Sequence, residues 1–189
     1  MTEGSLFVEE KTAHPVPNAV VHHSTRRVPP VREWISRVSL WIPVYLNGNA
    51  SLVVLEDGTQ WYVPWKSMNL YQRAAKAVFL QTQDLRRAYE DALGRSQYVP
   101  FINPHTQTVY PALKVRNPHT RNDGAVGYFR LDAIQHLRPV SDETCHLHTH
   151  HPFTFDILMA KQSAQRRMRD AGTFSILVQH QQTCGSVRM

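Results

Sequence analysis

The stretch from Ser51 to Val63, SLVVLEDGTQWYV, decides the fold class. Ser51 to Leu55 and Thr59 to Val63 are rich in β-branched and aromatic residues, whose stiff side chains favour a pleated strand. Between them Glu56, Asp57 and Gly58 supply the turn, because an Asp-Gly pair accepts the positive φ that a tight primed turn demands. An antiparallel hairpin is the reading. Beyond Pro64, Ser67 stands at a helix N-cap position, and Tyr71, Ala74, Ala75, Val78 and Phe79 recur at the spacing of a core-facing helical stripe. Leu85, Ala88, Tyr89, Ala92 and Leu93 carry that period to Gly94, a helix stop. One long helix and two short ones both satisfy the pattern. On the other side, Trp34 to Trp41 alternates as a strand, with Trp34, Ser36, Val38 and Leu40 on one face.

Further along, Thr108 to Tyr110 sits among prolines as a short strand, Lys114 to Asp123 forms a basic loop, and Tyr128 to Leu131 and Ile134 to Leu137 read as strands. A second hairpin runs from Cys145 to Ile157, turning at His150, His151 and Pro152, and a helix follows from Leu158 to about Asp170. Setting Asp57-Gly58 on His150-His151, an offset of 93 residues, also places Gln72-Arg73 on Gln165-Arg166. The pattern predicts an α+β fold of mainly antiparallel β-strands with two helical segments, and leaves open an internal duplication of a hairpin-helix unit. Residues 1–18 read as a flexible arm, 19–175 as a single domain, and 176–189 as a tail in which Phe174 to Leu177 suits a terminal strand or a hydrophobic peptide.

The chain has 189 residues, 42% of them hydrophobic, which suffices for one buried core. Its mean hydropathy is −0.40 and no apolar run approaches the ~18 residues of a membrane span. The first residues lack the basic and apolar regions of a secretory signal, so the sequence predicts a cytoplasmic protein with no membrane partner. Two cysteines, Cys145 and Cys184, build no disulfide framework. The net charge is +6, and 16 of the 21 cations are arginine. Arginine's planar fork binds phosphate bidentately, stacks on bases and enters narrow minor grooves, which points to nucleic acid rather than to solubility alone.

Catalytic signatures are missing: there is no Gly-x-Ser-x-Gly elbow, no Walker phosphate loop, and only 8 glycines. The expectation is a protein that is not an enzyme and needs no cofactor. Cys145, His146, His148, His150 and His151 offer zinc-ligand chemistry on a strand, with His146, His148 and His150 projecting together, but neither His-Glu-x-x-His nor Cys-x-x-Cys spacing occurs. A solvated hairpin face is the preferred reading of that cluster, and a metal-binding domain remains an alternative. Candidate DNA contacts are Arg86 and Arg87 on the first helical segment, Lys114, Arg116 and Arg121 in the basic loop, and Arg166 and Arg167 on the last helix. A basic module meeting an acidic protein partner is the second alternative.

VLEDGTQWYVPWK from Val54 to Lys66, then Tyr71-Gln72-Arg73, Arg86-Arg87, and PFINPHTQTVYP from Pro100 to Pro111 follow one another in an order that resembles the bacterial competence transcription factor ComK family. The resemblance continues through Gly127-Tyr128-Phe129, the His150 hairpin and KQSAQRRMRD from Lys161 to Asp170. It departs at Tyr110-Pro111-Ala112, at Tyr128-Phe129 and at Gln83-Asp84-Leu85. It implies a cytoplasmic activator of DNA-uptake genes that binds AT-rich double-stranded DNA mainly through the minor groove. It further implies a homodimer or higher oligomer, with contacts to an adaptor, a protease and RNA polymerase.

Overall fold

The computed structural model of the chain describes residues 19–46, 48–120 and 123–185. In chain order the elements are β1 (Val20–Val21), β2 (Val38–Tyr45), β3 (Asn49–Leu55), β4 (Gln60–Val63), α1 (Ser67–Ala77), α2 (Thr82–Leu93), β5 (Phe101–Asn103), β6 (Thr108–Tyr110), β7 (Ala112–Lys114), β8 (Val126–Phe129), β9 (Ile134–Pro139), β10 (Cys145–Thr149), β11 (Thr154–Ile157) and α3 (Lys161–Gly185). A six-stranded sheet has the order β1-β4-β3-β2-β8-β7, beside a three-stranded sheet β11-β10-β9 and a two-stranded hairpin β5-β6. Every pairing is antiparallel except β1 with β4. The fold is α+β, as the sequence predicts. Among the described residues no helix is long and apolar enough to cross a membrane.

The central sheet is covered on both faces. On one, Trp41, Val53, Val63 and Tyr128 pack with Leu70, Tyr71, Ala74 and Ala75 of α1. On the other, Leu40, Ile42, Leu52, Val54 and Phe129 meet Leu137, Leu147, Phe155 and Ile157 of the smaller sheet. Burial on both sides explains why β2 and β3 read as continuous apolar runs instead of alternating. Strand β10 has one covered face and does alternate: Cys145, Leu147 and Thr149 are buried while His146 and His148 are half-buried. A third cluster joins Leu85 and Tyr89 of α2 to Ile102, Val109, and Ala171, Phe174 and Val178 of α3.

The hairpin-helix order occurs twice, each time behind a three-stranded meander: β2-β3-β4-α1 and β9-β10-β11-α3. The last strands begin at Gln60 and Thr154 and the helices at Ser67 and Lys161, an offset of 94, one residue more than the turn-on-turn alignment of the sequences gives.

Several elements differ from the sequence reading. Trp34 to Arg37 is no strand: Ile35–Arg37 forms a 3-10 turn, and Trp34 anchors it by donating from Nε1 to the Pro29 carbonyl at 3.0 Å. A bulge between Val38 and Leu40 then puts these two residues on opposite faces. Likewise Leu131 leaves the strand predicted for 128–131 and enters a 3-10 turn. Ser67 is the first residue of α1 and not its cap; its hydroxyl donates to the Val126 carbonyl at 2.7 Å, tying the helix start to β8. Helix α3 runs 25 residues, so 176–185 is helical rather than tail, and Phe174 to Leu177 is neither strand nor free peptide. Its buried Phe174 and Val178 hold it against α2 and β6. The predicted arm, residues 1–18, lies outside the described residues.

The helical segment from 67 to 93 is two helices, and the break is made by Phe79. Phe79 N–H donates to the Lys76 carbonyl at 3.2 Å and Leu80 N–H to the Ala75 carbonyl at 2.8 Å, the paired bonds of a Schellman end. That motif places its penultimate residue in the left-handed region, and Phe79 has φ 62 where glycine is usual. Its side chain is 87% exposed, the reverse of the core position its spacing suggests.

Two stability effects follow. A Cβ on Gly127 would lie 2.8 Å from Ile42 Cγ2 and 3.1 Å from Val115 Cγ1, inside a packed interface. Gly127→Ala is expected to destabilise by ~1–3 kcal/mol in a denaturant melt, and an unchanged midpoint would mean that these neighbours yield freely. Phe79→Gly relieves ~1–2 kcal/mol of left-handed strain against ~0.5–1 kcal/mol of added freedom in the unfolded chain. The expected outcome is a net gain of about 0.5–1 kcal/mol, and a loss would show that Phe79 packs in the free protein.

Candidate nucleic-acid interface

The cations divide according to whether the fold supplies each with a carboxylate partner. Arg37 pairs with Asp57 at 2.8 Å, Arg95 with Asp170, and Arg130 with both Glu56 and Asp132. These guanidiniums are occupied. Lys76, Arg86 and Arg87 on α1 and α2, and Arg166 and Arg169 on α3, are exposed and make no ion pair with the described carboxylates. Between Lys66 and Arg87 the chain carries five cations (Lys66, Arg73, Lys76, Arg86, Arg87) against the single carboxylate Asp84. Arg73 lies over the Trp65 ring, 4.5 Å from its centroid. Phe79 projects from this same helix pair, three residues after Lys76, its ring meeting only the edge of His105 at 6.2 Å.

The loop cations behave differently. Arg116 is only 7% exposed. Its guanidinium donates from Nε to the Gly124 carbonyl and from Nη2 to Asn49 Oδ1 at 2.9 Å, and lies 4.0 Å from the centre of the Tyr45 ring. Burial lowers its pKa, offset by Tyr45 and Asp123. This arginine is a clasp between the β2-β3 turn and the 116–124 loop, and it presents no fork to an outside ligand. Arg121 lies outside the described residues. Lys114 is half-buried and shares a cleft with Asp142 and Glu143, whose carboxylates counter a phosphate contact there. On α3, Arg167 is half-buried with its guanidinium 3.6 Å from the centre of the Tyr98 ring, and burial lowers its pKa. Of the seven predicted contacts, Arg86, Arg87 and Arg166 are thus free to meet a ligand. Sequence reasoning missed Lys76 and Phe79. The signal for Lys76 lay in the unbalanced charge of 66–87, whereas none existed for a phenylalanine ending a helix.

The histidine cluster is also rearranged. Cys145 faces the core and His150 sits in the exposed turn, so neither joins His146 and His148. Instead His136 of β9 stacks on His148 with centroids 4.3 Å apart, and His146 Nε2 meets Asp156 at 3.1 Å. No group of three or more His, Cys, Asp or Glu able to hold a metal ion occurs among the described residues.

Asp123 completes the Arg116 clasp. It accepts from Asn49 Nδ2 at 2.7 Å and from the Tyr45 hydroxyl at 2.7 Å, and these bonds hold its carboxyl well below the usual carboxylate range. A depressed native pKa contributes stability that is complete above the unfolded value of ~3.9 and is lost as pH falls through the native value. Thermal melts between pH 6 and 2 are expected to show a fall in Tm below about pH 4 that Asp123→Asn flattens. Equal slopes for both proteins would remove Asp123 from the clasp. Arg116→Met is expected to cost ~1–3 kcal/mol of stability while leaving nucleic-acid affinity at native temperature unchanged. Compared with known proteins, the chain matches no family model, no curated protein and no solved structure.

Proposed function

We propose that the protein is a DNA-binding transcription activator of the ComK-like kind, meeting double-stranded DNA through the α1-α2 edge and the first turns of α3. The observation that carries this reading is Phe79: an exposed aromatic held in the left-handed region, on a helix pair whose Lys76, Arg86 and Arg87 have no carboxylate partners. Backbone strain retained at an exposed apolar side chain has no benefit to the free fold, which points to a bound state. Unpaired cations neutralise phosphates, and an apolar side chain among them suits insertion at a base step in a minor groove. The dominance of arginine over lysine supports a preference for AT-rich sites, where the minor groove is narrow and its potential most negative. Activation of DNA-uptake genes in the cytoplasm, a dimeric or higher assembly, and contacts with RNA polymerase and with an adaptor and protease come from the resemblance in order between residues 54 and 170.

The test is fluorescence anisotropy with AT-rich and GC-rich duplexes over a range of salt. Tighter binding to the AT-rich duplex, by about tenfold, is expected, with affinity falling steeply as salt rises. Replacing Arg86 and Arg87 together by alanine should lower the salt slope by about two for all duplexes. Phe79→Ala should leave the slope in place and weaken binding by ~1–3 kcal/mol, the scale of an aromatic–base contact. No binding at low salt would overturn the reading. Equal affinity for both duplexes, insensitive to Phe79, would instead favour an acidic protein partner.

A further inference from the structure

We infer that the cavity between α1, α2 and residues 96–99 is a binding site for a small organic carboxylate with an apolar or aromatic body. The cavity measures about 450 Å³, within the range of small-molecule sites. Its wall includes Tyr71 and Tyr128, 4% and 3% exposed, whose rings are stacked 5.2 Å apart and form its buried side. Val99 and Val126 add apolar surface. The Tyr71 hydroxyl has no hydrogen-bond partner and almost no accessible surface, so Tyr71 meets the cavity through other atoms and serves as part of its apolar wall.

The polar side of the cavity is cationic. Arg86 lines it and has no carboxylate partner, while none of the lining residues is Asp or Glu. Thr82 and Gln83 bring the first turn of α2 to the same wall, and that helix has no side-chain cap. Its first intrahelical donor is Leu85, so the N–H groups of the opening turn and the positive end of the helix dipole add to Arg86. Asp84 shares this turn but is not part of the lining. An anion is therefore favoured at the Arg86 end and an apolar body against the tyrosines. A single guanidinium holds a carboxylate bidentately, and with one cation in the lining a monoanion matches the charge better than a dianionic phosphate. Tyr98, on the outer wall, has φ 59 and is clamped by Arg167, so the site is built on a fixed rather than a loose segment.

The experiment is isothermal titration calorimetry of the full chain, without nucleic acid, using phenylacetate and indole-3-acetate against their neutral amides. The site shares Arg86 with the proposed DNA surface, but the titration contains no nucleic acid and reads the acid alone, so failure of either reading leaves the other in place. At least one acid is expected to bind about tenfold more tightly than its amide, and Arg86→Gln to bring the acid down to the affinity of the amide. Tyr71→Phe removes a hydroxyl that has no accessible surface and no partner, and is expected to leave the affinity for the acid unchanged. Should Tyr71→Phe not fold, the exchange at exposed Arg86 decides alone. Neither acid binding at about 10 mM, or acid and amide binding equally with no response to Arg86→Gln, would overturn the inference.

Discussion

The structure depends on the aromatic column through Trp41. This side chain has no exposed surface and touches three other rings, Phe101, Tyr110 and Tyr128, the last stacked at 4.7 Å and 20°. Tyr128 stacks in turn on Tyr71, so one run of rings leads from the middle of the central sheet through β8 to α1. Tyr110 fixes the other side by donating to the Val38 carbonyl at 2.8 Å. Four parts of the chain far apart in sequence thus share one packing problem: strands β2 and β8, helix α1 and the hairpin β5-β6. Each ring pair adds ~0.5–1.5 kcal/mol beyond the burial of its area, and the geometry of one ring sets that of the next. Tyr71 and Tyr128 also wall the cavity, which gives its buried side the rigidity of the core.

How much of this was legible in the sequence depended on whether the local rule had a tertiary competitor. The hairpin at 51–63 was legible because Asp57 and Gly58 satisfy a turn locally, and Gly58 does take φ 81. Strand β10 was legible because one open face leaves the alternation of Cys145, His146, Leu147 and His148 intact. In β2 the second covered face erased alternation, and the bulge at Val38 to Leu40 reversed which side chains face together. Helix α3 was cut short because Thr173, Phe174, Ile176 and Val178 are strand-favouring types; packing of Phe174 and Val178 against α2 overrides that preference. The break after α1 was invisible because a Schellman end normally announces itself with glycine, and here it uses Phe79.

The candidate site was less legible for an electrostatic reason. A sequence shows which residues are cationic but not which carboxylate or ring the fold brings to each. Arg130 finds Glu56 74 residues away, and Arg116 finds Asn49 67 residues away. Once desolvated and hydrogen-bonded, such a guanidinium is structural, and withdrawing it to reach an outside ligand would break the bonds that hold it. Arg86 and Arg166 differ in that no described carboxylate comes within ion-pair distance of either. Their freedom comes from where the fold puts acids, not from any feature of the arginines.

The junction of α1 and α2 concentrates what the rest of the fold leaves unspent. A glycine after α1 would end the helix at lower strain, yet the position holds a phenylalanine with 87% of its surface in solvent. The next helix begins without a side-chain cap, beside Arg86 and a cavity walled by Tyr71, whose buried hydroxyl is unpaired. The left-handed backbone at Phe79 and the unpaired Tyr71 hydroxyl each lower the stability of the free protein. Elsewhere local choices agree with the fold only in part: Gly94 ends α2 at φ 66 and Ser24 caps the 3-10 turn at Thr25–Arg27, whereas Tyr98 and Gln107 take positive φ and α1 also starts without a side-chain cap. What sets Phe79 apart from Tyr98 and Gln107, the other described non-glycine residues at positive φ, is a large apolar ring left in solvent, a combination that suits the binding role proposed for this corner.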